Sequence, residues 1–135
     1  MRAVSPQASL VAVSMLAGAA YDAAFGAVIL AAPEDLAPVL GLPLPADQFY
    51  LRFIGVFLFG LAIVYALPAR HPDRYRGVVT AAVVIRLMGC LYLTGAAVLF
   101  ARPPVFLLLA AADGGFALLH AVGLWLRPAP RDLPL

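Results

Sequence analysis

Five ionisable residues lie inside otherwise apolar stretches of this chain: Asp22, Arg52, Arg86, Asp113 and His120. Two carboxylates, two guanidiniums and one imidazole could pair with one another, hold the polar end of a ligand, or trade protons with a substrate. A charge at the centre of a membrane costs at least about 2.5–3.5 kcal/mol on insertion scales, so such groups are expected to face a protein interior and find partners. Their spacing suits that. Asp113 and His120 are two helical turns apart on one face, with Phe116 between them. Gly18, Asp22 and Gly26 form a stripe spaced by four. Gly55 and Gly89 each follow an arginine by three residues. Small residues at these positions let a neighbouring helix approach closely.

The elements that must position these groups are four apolar runs, 8–32, 48–69, 78–101 and 105–126. A hydrocarbon core about 30 Å thick is crossed by about 20 helical residues. Lipid offers an unpaired backbone amide no partner, so each run reads as a helix. Of the 135 residues, 64% are hydrophobic and 12% charged, against about 25% charged in a typical soluble domain. The fold class expected is all-α: an integral-membrane, antiparallel bundle of four transmembrane helices forming a single domain over residues 1–135. The first run is longer than the h-region of a removable signal peptide, about 7–15 residues, and it contains Asp22, so it reads as a retained helix.

Depth can be set by the helical rise of 1.5 Å per residue. From the outer end of each span, Asp22 falls at ~15 Å, Asp113 at ~12 Å and Arg52 at ~6 Å, with Tyr21 at ~16 Å and Tyr92 at ~14 Å beside the carboxylates. Arg86 and His120 fall at ~22 Å. An outer tier of Asp22, Asp113, Arg52, Tyr21 and Tyr92 is therefore expected above an inner tier of Arg86 and His120, with Tyr65 slightly deeper. Two Asp against two Arg would leave the interior neutral, as a low dielectric demands. A faint repeat accompanies this: Asp22-Ala-Ala-Phe25 matches Asp113-Gly-Gly-Phe116, and Arg52-Phe-Ile-Gly55 matches Arg86-Leu-Met-Gly89.

The connections set the orientation. Four crossings place both termini on one side, with Arg2, Arg70, Arg74, Arg76, Arg127 and Arg131; the other side has Arg102. Basic residues in short loops stay in the cytoplasm, so both termini are expected there, in a bacterial cytoplasmic membrane. The first loop, from Pro33 to Asp47, contains Pro33, Pro38, Pro43 and Pro45, which exclude a long helix; its leucines predict a short helical turn capping the bundle. The second, Arg70 to Arg76, is basic and suits contact with anionic lipid heads. Arg102-Pro103-Pro104 is tight and makes its two helices antiparallel neighbours. Trp125, Tyr50 and Tyr75 fall at span ends, where such rings prefer the interface.

These residues bound the function. A net charge of +2 gives no reason to expect a nucleic-acid partner. Cys90 is the only cysteine, so no disulfide forms within the chain and no cysteine-based zinc site exists. No metal site is expected, and no cofactor can be named. The candidate ligand-binding set is Asp22, Arg52, Arg86, Asp113, His120, Tyr21 and Tyr92, lined by Phe53, Phe57, Phe59, Leu91 and Phe116. Its expected guest is an amphipathic molecule such as a lipid, isoprenoid or quinone. Asp113, His120 and Tyr92 are the candidates for acid–base catalysis on a lipid-like substrate, and a proton-coupled transporter is a further class. A purely structural ion-pair network fits the same residues. Membrane lipids, a second copy of the chain and a membrane-complex partner are the partners open to it.

In helix number, span length and Arg-plus-Gly punctuation such as Arg52…Gly55, the chain resembles the small four-helix bacterial membrane proteins grouped as DoxX-like. That resemblance covers most of the chain. It implies a four-helix membrane bundle and, for some members, an accessory part in membrane redox systems.

Overall fold

The computed structural model describes residues 6–126, with side chains from Leu10 onward; Arg2, Arg127 and Arg131 lie outside the described residues. It is all-α among them: α1 Pro6–Ala31, α2 Pro33–Val39, α3 Phe49–Arg70, α4 Arg76–Leu99 and α5 Val105–Trp125. Four of these, all but α2, are long and apolar enough to cross a membrane. The ends of all four spans fall within two residues of the apolar runs.

The first loop forms the expected short turn. Pro33 opens α2, where its missing N–H is no loss. Gly41, at φ +64°, closes it. The Gly41 N–H donates to the Pro38 carbonyl and the Leu42 N–H to the Ala37 carbonyl, a Schellman ending that needs the left-handed conformation glycine adopts freely. At the other tight connection Ala101 takes φ +49°, and the Arg102 N–H donates back to Ala96, turning the chain into α5.

The bundle is two hairpin-like pairs, α1 on α3 and α4 on α5, joined by α1 against α5 and, over a shorter stretch, α3 against α4. The first pair closes on glycine. A Cβ added at Gly26 would sit 2.9 Å from the Gly55 carbonyl oxygen, and one at Gly55 would sit 3.0 Å from the Gly26 oxygen. The core runs along α1 through Val11, Met15 and Ala19, meeting Ala62 and Tyr65 of α3 and Val79 and Ala82 of α4. Large side chains such as Phe53, Phe57, Leu91 and Leu99 point outward, the inverse of a soluble bundle and the arrangement that lipid as solvent permits. Tyr50 and Trp125 are exposed at span ends, as expected of interfacial rings.

Candidate functional site: a buried three-helix ion cluster

Arg86 is the centre of the site. Its Nη2 donates to Asp22 Oδ2 of α1 at 2.7 Å and its Nη1 to Asp113 Oδ1 of α5 at 2.6 Å. Nη2 also reaches the Gly18 carbonyl at 3.2 Å. The guanidinium carbon lies 5.4 Å from the ring centres of Tyr21 and Tyr65 and 5.1 Å from that of Phe116, within the range where a cation is drawn to an aromatic face. One arginine of α4 thus gathers side chains from α1, α3 and α5.

Glycine makes room for this. A Cβ at Gly89, one turn along α4 from Arg86, would collide with the Asp113 carboxylate. The glycine three residues after the arginine is where the acidic helix comes in. Tyr21 stacks on Phe25 and tilts against Phe116, forming an aromatic wall on the α1–α5 side.

His120 sits below the cluster, fully buried. Its Nδ1 lies 3.0 Å from Ser14 Oγ, and the Ser14 hydroxyl donates to the Val11 carbonyl at 3.2 Å. With that proton committed, a neutral His120 carries its hydrogen on Nδ1 and leaves Nε2 as an acceptor. A Cβ on Gly18 would stand 3.6 Å from Nε2 and 3.5 Å from Arg86 Nη2, so the imidazole and the guanidinium flank the same glycine. His120 Nε2, Arg86 Nε and Tyr65 Oη are buried without a protein partner.

Of the expected site residues, Asp22, Arg86, Asp113 and Tyr21 meet directly, and His120 adjoins them. Two do not. Arg52 is exposed near the N-terminal end of α3; its Nη1 donates to the Leu30 carbonyl at 2.6 Å and its Nη2 to Gln48 Oε1 at 3.1 Å. It therefore caps the C-terminal end of α1, where unpaired carbonyls and the negative end of the helix dipole favour a cation. Tyr92 is 76% exposed on the outer face of α4. Six residues at 100° each place it about 120° round the helix from Arg86. Equal depth did not mean equal face.

The two-tier arrangement is corrected with them. Arg86 belongs with the carboxylates, because a long guanidinium side chain reaches well beyond the level of its own Cα. The expected balance of two Asp with two Arg is not realised in the cluster, where two carboxylates share one guanidinium. Of the expected apolar lining, Phe116 faces the cluster, whereas Phe53, Phe57 and Leu91 point outward. Asp113 and His120, although on one face of α5, engage different partners. Ser14 was not anticipated, yet it continues the four-spaced stripe of Gly18, Asp22 and Gly26 by one step.

Access differs within the cluster. The side chains of Arg86 and Asp22 are 6% and 3% exposed, that of Asp113 15%. Tyr21 is half-buried beside it. No group of three or more His, Cys, Asp or Glu side chains poised to hold a metal ion occurs among the described residues. Compared with known protein families, curated proteins and solved structures, the chain matches none.

Proposed function

We propose that this is a non-catalytic accessory or binding protein of a bacterial cytoplasmic membrane, with both termini in the cytoplasm. In this reading the Asp22–Arg86–Asp113 cluster receives the polar end of an amphipathic ligand, an isoprenoid, lipid or quinone. The observation that carries it is the graded access of the cluster: Asp22, Arg86 and His120 are sealed, while Asp113 and Tyr21 remain partly open beside the Tyr21–Phe25–Phe116 wall. A hydroxyl-bearing head would donate to the Asp113 carboxylate and its tail would lie on the rings. The sealed ions hold that acceptor in place without reorganisation on binding. Acid–base catalysis gains less support, because Asp113, His120 and Tyr92 do not converge on one point where a substrate could lie.

A photoreactive diazirine analogue of farnesol, added to the protein in nanodiscs, tests the reading. Labelling is expected at Tyr21, Phe25 and Phe116 and should fall several-fold in Asp113→Asn. Labels spread evenly over outward residues such as Phe53, Phe57 and Leu91, and indifferent to Asp113→Asn, would leave the cluster as a structural lock alone.

A further inference from the structure

At the other end of the bundle from Arg52, the turn between α3 and α4 forms an open groove of about 550 Å³. Arg70, His71, Arg74 and Tyr75 line its polar side, and Ile63, Ala66 and Leu67 its apolar floor. No ion pair among the described residues engages Arg70 or Arg74. Arg74 rests over the Tyr75 ring at 5.7 Å, which orients it at the groove.

The groove does not end at the helix surface. Ile63 and Ala66 also line a second, shallower furrow between α1 and α3, of about 320 Å³. Its walls are largely alanine, Ala19, Ala20 and Ala23 on α1 and Ala62 on α3, with Phe59 at its far end. From Phe59 to Arg70 the furrow and groove extend about 16 Å along α3 at 1.5 Å per residue. That is about half of a hydrocarbon core of about 30 Å, the depth of one leaflet. A basic mouth thus leads into an apolar furrow, the two together about one leaflet deep.

We propose that this composite groove is a binding site for an anionic phospholipid. The phosphate lies between the guanidiniums of Arg70 and Arg74, whose planar forks match phosphate oxygens, and one acyl chain lies in the alanine furrow. The furrow accounts for what a basic loop alone does not: a lipid held by both its charge and its tail. The site is separate from the buried ion cluster and does not depend on a ligand binding there.

Native mass spectrometry on the full chain, in nanodiscs mixing phosphatidylglycerol and phosphatidylcholine, tests this. The wild type is expected to retain phosphatidylglycerol over phosphatidylcholine by roughly fivefold or more per arginine engaged. Arg70→Gln/Arg74→Gln, at exposed positions whose loss spares the core, should abolish that preference. Arg102→Gln, at the opposite end of the bundle, should leave it intact. Ala20→Phe, on the exposed rim of the furrow, should lower retention of phosphatidylglycerol while excess free glycerol phosphate fails to displace it from the wild type. Equal retention of the two lipids by the wild type would overturn the proposal. So would an unchanged preference in the double variant, or equal loss in Arg102→Gln. Displacement by glycerol phosphate, or full retention in Ala20→Phe, would overturn the part played by the furrow.

Discussion

Arg86 of α4 holds Asp22 of α1 at 2.7 Å, although these two helices do not pack along one another. The side chain spans the middle of the bundle and ties the α1–α3 pair to the α4–α5 pair. Buried ion pairs often add little net stability, yet breaking one strands a charge. Here the third partner, Asp113, fixes the register of α5 in the same contact.

The α1–α3 pair should tolerate little added volume where its two glycines meet. Gly26→Ala would press a methyl against the Gly55 backbone oxygen, which cannot swing aside, and should cost about 1–3 kcal/mol of unfolding free energy in mixed micelles. Gly60, on the same helix as Gly55, has nothing within 4 Å of an added Cβ. Gly60→Ala should be neutral or gain up to about 1 kcal/mol. Equal effects of the two changes would contradict the close approach.

Arg52→Ala should behave as the loss of a helix cap and not of a buried charge. Unfolding free energy should fall by about 1 kcal/mol, the scale of one hydrogen bond, and farnesol-analogue labelling at Tyr21 and Phe116 should be unchanged. A drop as large as that for Arg86 would return Arg52 to the central site.

Outside the spans, Glu34 offers a pH test. Its carboxyl is held below the usual glutamate range first by the backbone N–H of its own residue at the start of α2, then by the Gln48 side-chain amide. A lowered value in the folded state stabilises the ionised form at pH above the ordinary glutamate range and loses that contribution as pH falls through the lowered value. An NMR titration should place the Glu34 midpoint below the reference of about 4.3, and Gln48→Ala should move it upward. A midpoint at or above the reference would contradict the contact.

Much of the architecture was legible because lipid imposes one rule on every span: long, apolar and helical. The ends of α3 and α5 follow from it to within a residue. The common level of Asp22 and Asp113 was also legible from their depths, but that Arg86 meets both was not, because its Cα lies at a different level from the guanidinium it carries. What depth along the axis did not supply was direction around it. Tyr92 shares a level with the carboxylates but points outward. Arg52 lies four residues into α3, near enough to the boundary for its side chain to seek the end of α1. The repeat that matches Arg52 with Arg86 therefore holds in sequence but not in role: one caps a helix, the other sits among three helices. Ser14 was within reach of the same four-residue stripe that marked Gly18 and Asp22.

The central claim is that Arg86 is sealed between two carboxylates from different helices. It is tested most directly by SDS-titrated unfolding of Arg86→Met beside the triple variant Asp22→Asn/Arg86→Met/Asp113→Asn. Arg86→Met should lose about 3–5 kcal/mol, because two buried carboxylates are left facing each other, and the triple variant should recover more than half of that. An Arg86→Met protein within about 0.5 kcal/mol of wild type, the range of surface substitutions, would contradict the account, as would a triple variant no more stable than the single one.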